Sequence, residues 1–240
     1  PFGWIDDYNP HWTPNTTDAE NGRYRFENQA QVALWNLVQL ANALYPLIEN
    51  IPALEEILNE YQTQWEVKYN QVLFQKLGIK QQNQAANQFV QSIDSILQLT
   101  ETDMTIFYRL LADIKIEMTP EEALAVIENS FYRSEELVEI IRGKWLQWLS
   151  QYLEILKVEK SNDSIRSKEM NQINPKYVLR NYMSQLAIEA AEIGNYDLIH
   201  ELYTLIQNPY SEQPEYEKWF AKRPESARNK LGSSTLSCSS

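Results

Sequence analysis

The chain has 240 residues, 43% of them hydrophobic and 22% charged, with a formal net charge of −12. That length suits one large domain or two small ones with a proper core. The negative surface repels phosphate backbones and anionic lipid, so nucleic acid is not an expected partner, and the acidity otherwise reads as solubility. Glycine is scarce, with 6 in the chain, and the tight turns of hairpins depend on it, so composition leans away from an all-β fold.

No run approaches the ~18 apolar residues needed to span a bilayer, so no membrane partner is expected. No charged-then-apolar leader opens the chain, so export is not indicated. Cys238 is the single cysteine; it cannot form an internal disulfide, which fits a reducing compartment. The sequons at Asn15 and Asn162 read as chance matches. The first residue is Pro1, inside what reads as a loop, so the chain reads as part of something longer.

Residues 1–28 mix breakers (Pro1, Pro10, Pro14, Gly3, Gly22) with aromatics (Trp4, Tyr8, Trp12, Tyr24, Phe26), the composition of an ordered irregular segment. From about 29 the period becomes helical. Leu34, Leu37, Val38 and Ala41 fall at i, i+3, i+4, i+7, the spacing of one buried stripe, with Pro46 near the helix end. Leu54, Ile57, Leu58, Tyr61 and Trp65 repeat the spacing and continue to Val72 and Leu73. Pro52 stands at the start of that helix and Gly78 at its stop.

The polar stretch Gln81 to Gln88 is a loop or the exposed start of a third helix, whose face is Ile93, Ile96 and Leu97. Thr102 or Asp103 starts the next, with Ile106, Phe107, Leu110 and Ile114 inward. Thr119-Pro120-Glu121-Glu122 combines a hydroxyl cap, proline at the first position and glutamate three residues after the cap. Ser134 is expected to cap a long helix carrying Leu137, Ile141, Trp145, Trp148, Leu149 and Tyr152. Residues 157–163 read as a loop, and Asn174-Pro175 as the opening of a helix with Leu179, Met183 and Ala190 along it and Gly194 as its stop. Asn195 caps a last helix, Tyr196 to Ile206, closed by Asn208-Pro209. No repeat of 30 to 45 residues and no convincing strand is present. The expected organisation is an irregular segment over 1–28, a helical lobe over 29–210 and a mixed tail over 211–240, in an all-α fold.

Familiar chemistry is missing. His11 and His200 form no pair at ligand spacing, so a metal site has no support and each reads as a surface or hydrogen-bonded histidine. There is no Gly-rich phosphate loop, no G-x-S-x-G, and no cysteine placed with a histidine. Glu121-Glu122 and Glu135-Glu136 fall in first turns, where negative charge meets the positive end of the helix dipole, a structural role.

Several stretches carry more. Pro1-Phe2-Gly3-Trp4-Ile5-Asp6-Asp7-Tyr8 leads to Asn15-Thr16-Thr17-Asp18. Gly22-Arg23-Tyr24-Arg25-Phe26-Glu27-Asn28-Gln29 runs into Leu34-Trp35-Asn36-Leu37. Asn174-Pro175-Lys176-Tyr177-Val178-Leu179-Arg180-Asn181-Tyr182 follows, and the chain closes on Ser237-Cys238-Ser239-Ser240. In these stretches the chain resembles the selenoprotein O family, some members of which carry selenocysteine where this chain has Cys238.

The resemblance implies a kinase-like fold, of which this chain would supply helices like those of the larger, C-terminal lobe plus extra C-terminal helices. It implies a pseudokinase that binds ATP with Mg2+ in reversed orientation and transfers AMP to Ser, Thr or Tyr hydroxyls of other proteins. It also implies a cytoplasmic protein if bacterial and a mitochondrial one if eukaryotic. Phe2 and Gly3 look like the tail of the metal-binding motif; its aspartate and the phosphate-binding and catalytic residues would lie before Pro1. No catalytic or metal-binding residue is therefore assigned to this chain, which is expected to bind no cofactor and to be inactive alone, its missing partner being the N-terminal lobe of the same protein.

Asn15, Asp18, Arg23 and Tyr24 match family motif positions near the cleft edge. Arg23 is expected to face anionic substrate or, more simply, to pair with Asp18. Asn174 and Arg180 are expected to cap and brace helices. Pro14 stands where some bacterial members have a cysteine able to pair with the terminal one, so that clamp is impossible here and Cys238 is either an exposed redox thiol or an idle one. The rival readings are a non-enzymatic helical interaction module and an ordinary phosphoryl-transfer kinase.

Overall fold

The computed structural model describes residues 5–13 and 22–230. Among them the fold is all-α: ten α-helices joined by turns and short 3-10 segments, with one isolated bridge between Thr102 and Phe131 and no strand. The described residues divide into two compact units, residues 9–13 and 22–72 in one, residues 5–8 and 73–230 in the other.

The smaller unit opens on a turn closed by its own backbone. The Trp12 N–H donates to the Asn9 carbonyl (3.1 Å) and the Phe26 N–H to the Trp12 carbonyl (3.0 Å). Gly22, at φ 61°, gives the backbone its left-handed bend. A 3-10 turn, Phe26–Asn28, runs into α1 (Gln29–Ile48), and α2 (Ile51–Leu77) follows after a break at Glu49 and Asn50. Asn50 caps α2 by accepting the Ala53 N–H (3.2 Å), and Pro52, expected as the first helical residue, is the second, after Ile51.

One expectation fails here. α1 contains no buried residue, and Leu34, Leu37, Val38 and Ala41 are only half-buried. On α1 and α2, Trp35, Leu40, Leu47, Ile57, Trp65 and Val67 are exposed, Leu47 by 82% and Ile57 by 61%. Periodicity specifies that a helix has an apolar face; it does not supply the surface that covers it.

The larger unit holds the core. It includes residues 73–77 of α2, then α3 (Gln84–Gln91), α4 (Ile93–Leu97), α5 (Met104–Leu111), α6 (Pro120–Ile127), α7 (Glu139–Val158), α8 (Asp163–Ile173), α9 (Asn181–Glu192) and α10 (Asp197–Gln207). The polar stretch before α3 resolves as the start of a helix: Asn83 accepts the Ala86 N–H (2.9 Å), and Gln84 begins α3. Asp103, not Thr102, caps α5, accepting the Ile106 N–H (3.1 Å). Thr119 and Glu122 form the full capping box of α6.

Trp145, Trp148 and Tyr152 on α7 fill the centre. Phe89 stacks on Trp148 at 4.7 Å and Phe131 tilts against Trp145 at 5.0 Å, between ring centroids. A second cluster joins Tyr177, Tyr182, Met183 and Ala187 to Leu202, Leu205 and Ala227. Tyr216 and Trp219 of the following 3-10 segment (Pro214–Trp219), and Phe220 just after it, pack on it.

Several helix boundaries depart from the sequence reading; Ile93, Ile96 and Leu97, expected on the helix that the polar stretch opens, form the separate α4. Ser134 makes no cap bond and begins a separate 3-10 turn, Ser134–Glu136; α7 starts at Glu139, leaving Leu137 outside it. The Glu136 carboxylate is drawn away to the backbone N–H of Glu101 (2.9 Å). α8 was not anticipated, because its polar face conceals it: only Arg166 and Met170, four apart, are buried. Asn174-Pro175 then ends α8 instead of opening a helix. The Lys176 and Tyr177 N–H groups both donate to the Pro209 carbonyl (2.8 and 3.1 Å), which holds the backbone out of a helix until Asn181, so that Leu179 is exposed.

Gly78 ends α2 at φ 67°, and a Cβ there would lie 2.6 Å from the Met170 sulfur and 2.7 Å from the Arg166 Cγ. Strain and overpacking add, so Gly78→Ala is expected to cost about 2–4 kcal/mol in urea unfolding. Lys76 lies half-buried with its Nζ 4.1 Å from the centre of the Tyr108 ring, and burial pushes its pKa down to about 8. The unfolded chain therefore binds the proton more tightly, and this group's contribution to stability rises as pH goes from about 8 to 10.5. Lys76→Met should remove that rise: the difference in melting temperature between variant and parent, largest at pH 7, should shrink towards pH 10.5.

Candidate functional site

Of the residues singled out in the sequence, Phe2, Gly3, Asn15, Asp18 and Cys238 lie outside the described residues. Arg23 and Tyr24 lie in the smaller unit. The Arg23 guanidinium sits 4.1 Å from the Trp35 ring centre and 5.9 Å from that of Tyr24, and it donates to the Asn36 side-chain oxygen (2.9 Å). Arg23 thus packs on the outer face of α1; Tyr24 is exposed. His11 is exposed and bonds Glu27 (2.7 Å); that bond holds the Glu27 carboxyl below its ordinary pKa.

The two residues expected to brace helices do so. The Asn174 amide donates to the Lys76 carbonyl (2.9 Å), tying α8 to the end of α2. Arg180 stands at the N-cap position of α9 but makes no cap bond. Its side chain instead enters a buried ion cluster. One arm grips Asp103 (2.8 Å) and the other reaches Asp6 (3.4 Å), with Asp103 fully buried and Arg180 nearly so. Arg223 meets Asp6 from the other side (3.1 Å) and also Glu101 (3.5 Å). Arg228 contacts Glu101 (2.5 Å). The Tyr132 hydroxyl donates to Asp103 (3.3 Å) and accepts from the Arg223 N–H (3.0 Å).

The chemistry of this cluster follows from its geometry. Burial opposes the Arg180 charge, but Asp103, Tyr132 and Asp6 more than restore it, so Arg180 titrates above the ordinary arginine range. Burial likewise pushes the Asp6 carboxyl up, against the pull of Arg180 and Arg223. Burial, then Asp103, pushes the Tyr132 phenol up. The carboxylates Asp6, Asp103 and Glu101 each face arginine.

A second cluster lies nearby in sequence. Arg109 donates to the carbonyls of Asn171 and Asn174 (both 3.1 Å) and pairs with Glu212, which also holds Lys176 (2.6 Å). It anchors the segment after α10. A cavity of about 480 Å³ lined in part by Phe89, Gln151 and Glu154 contains one carboxylate and no cation, the wrong charge for a nucleotide phosphate. Among the described residues, no group of three or more His, Cys, Asp or Glu could hold a metal ion, and no helix is long and apolar enough to cross a membrane.

Sequence reasoning missed Asp6, Glu101, Tyr132, Arg223 and Arg228 as a unit. Asp6 stood inside a family motif stretch and Asp103 at a helix start, but no local pattern links positions so far apart in the chain.

The family described as protein adenylyltransferase SelO matches residues 1–208. This chain belongs to the SelO family. A relative named protein nucleotidyltransferase YdiU, from Flavobacterium johnsoniae, is 52% identical over 240 residues, covering all of this chain and 46% of the relative. Proteins of the same name from Rhodopirellula baltica and Aromatoleum aromaticum are 41% and 42% identical, again across all of this chain and 46% and 45% of theirs. The chain therefore spans a little under half the length of these SelO-family relatives.

The buried cluster makes a clear prediction. Arg180→Met would leave the Asp103 carboxylate buried with the Tyr132 phenol and the Ile106 N–H but no cation beside it, at an expected cost of about 3–5 kcal/mol in chemical denaturation. Lys80→Met, which breaks the exposed pair with Glu169, should cost less than about 1 kcal/mol in the same assay.

Proposed function

We propose that this chain is the C-terminal helical portion of a protein adenylyltransferase that moves AMP from ATP to Ser, Thr or Tyr hydroxyls of other proteins. The observation that carries this reading is the SelO match over residues 1–208, joined to relatives named as protein nucleotidyltransferases and about twice as long. In such a transfer the acceptor oxygen bonds the α-phosphorus, the bond to the bridging oxygen of the β-phosphate breaks, and pyrophosphate leaves with the negative charge. That charge needs cations and metal held in place before the reaction begins.

The buried arginines Arg180 and Arg223 are paired with carboxylates, and among the described residues no group of three or more His, Cys, Asp or Glu could hold a metal ion. The reading therefore assigns ATP and Mg2+ to the portion present in the relatives and not covered here, and it takes the 240-residue chain to be inactive by itself.

The uncovered apolar faces of α1 and α2 support the same reading. Trp35, Leu40, Leu47 and Ile57 are at least half exposed, more apolar surface than an isolated helix pair keeps in water. Their proposed partner is the N-terminal lobe of the same protein. A helical interaction module would also expose such faces, but the match to nucleotidyltransferases favours docking within one enzyme.

The test is AMP transfer from labelled ATP, read by the mass added to a protein acceptor. The full-length protein should add AMP and not phosphate, and the 240-residue chain should add neither. Phosphate addition by the full-length protein, or labelling by the short chain, would reject the reading.

A further inference from the structure

A lysine in the last turn of a helix ordinarily turns its ammonium towards the final carbonyls, which lack partners within the helix. Lys76 stands in the last turn of α2, and there each of those carbonyls is already engaged. Phe74 accepts the Ile79 N–H (3.0 Å), Gln75 the Gly78 N–H (3.1 Å), Lys76 the Asn174 amide (2.9 Å) and Leu77 the Tyr152 hydroxyl (2.8 Å). The Lys76 ammonium has no hydrogen bond and no ion pair in their place. It meets the face of the Tyr108 ring at 4.1 Å, which attracts a cation without replacing the acceptors that water would supply. Leu73, Phe74 and Leu77 beside it on α2 are buried, and Lys76 itself is half-buried. Its Nζ is nevertheless not sealed from solvent. The contrast with other lysines is plain: Lys80, Lys218 and Lys230 each pair with a glutamate, and Lys144 and Lys168 stand exposed in water.

We infer that Lys76 is a modification site, a nucleophilic amine that takes an acyl group from a small activated donor of the acyl phosphate class. The inference stands apart from the AMP-transfer reading. An ammonium deprived of both water and acceptors gives up its proton more readily, and the neutral amine that remains is the nucleophile. The lowered pKa of Lys76 agrees, with burial as its cause and no charged neighbour adding to it or opposing it. Arg109, next to Tyr108 on α5, is turned instead to the Asn171 and Asn174 carbonyls and to Glu212. In the reaction the Nζ lone pair attacks the acyl carbonyl carbon and an N–C bond forms. The C–O bond to phosphate breaks, phosphate leaves with the electron pair, and the surplus proton on nitrogen passes to water. The product is a neutral amide, so the modified side chain no longer carries a charge into a half-buried place.

The experiment treats the full-length protein with acetyl phosphate and follows acetylation of each lysine by peptide mass spectrometry, across a series of pH values and with a parallel arm in urea. At about pH 7, Lys76 should be acetylated at least ~10-fold faster than Lys144 and Lys168, because far more of it is neutral. That advantage should hold steady below about pH 8 and shrink as pH rises from there to about 10.5, where the exposed lysines lose their protons too. In urea, with the fold gone, Lys76 should react at the rate of the other two.

Acetylation of Lys76 no faster than that of Lys144 and Lys168 at about pH 7 overturns the site. An advantage that stays the same at every pH overturns it as well, since access alone would then explain the rate. An advantage that survives in urea belongs to the neighbouring sequence and not to the folded end of α2, and rejects the inference. None of these readouts requires AMP transfer, so they are decided whether or not the proposed function holds.

Discussion

The buried meeting of Asp6, Arg180, Asp103 and Arg223 is the constraint on which the larger unit depends. It joins the leading segment, the start of α5, the start of α9 and the turn after Phe220, elements that no single helix packing brings together. Such a cluster is a poor source of stability, because removing charges from water costs several kcal/mol per ion before attraction offsets it. Asp6 shows this directly: burial outweighs two guanidiniums and raises its pKa. What the cluster supplies is uniqueness. Asp6 and Asp103 are both bonded to Arg180, and Asp6 also to Arg223, so any slip of the leading segment strands a charge. The hydrophobic clusters around Trp145 and Tyr177 provide burial; the ion cluster decides which segments share it.

Among its described residues the smaller unit has no buried ion cluster of this kind. α1 has the apolar spacing of a core helix and no buried residue, and the outer face of α2 carries Ile57 and Val67 in the open. A helix this apolar gains little from folding against water and much from a covering surface. The same sequence features that predict a buried stripe are here carried by helices whose apolar residues stay largely exposed.

Much of this was legible in the residues. The all-α class followed from the apolar spacing, the α6 cap from Thr119-Pro120-Glu121-Glu122, and the stop of α2 from Gly78, because each is a local rule written in adjacent positions. α8 was hidden because burying only Arg166 and Met170 leaves no apolar period to detect. Asn174-Pro175 misled because a capping asparagine and a proline are equally good at ending one element and at opening the next; the Pro209 carbonyl, more than thirty residues downstream, settles which. The ion cluster was beyond reach for the same reason. Charged residues are scattered through any soluble chain, and only the tertiary fold selects the few that lose their water together. The family motifs marked Asp6, Asn174 and Arg180 without saying what they touch.

Residues 5–8 belong with 73–230 in the larger unit, although residues 9–72 stand between them in the chain. Closing so long a stretch of chain costs entropy, though the cost grows only slowly with length. Within the larger unit it is offset by the Asp6 ion pairs, by the Tyr8 bonds to Thr102 and Asp94, and by the burial of Ile5. The segment is too short to bury much apolar surface, so its place is set by charge and hydrogen bonds, which are directional, and not by the hydrophobic effect, which is not.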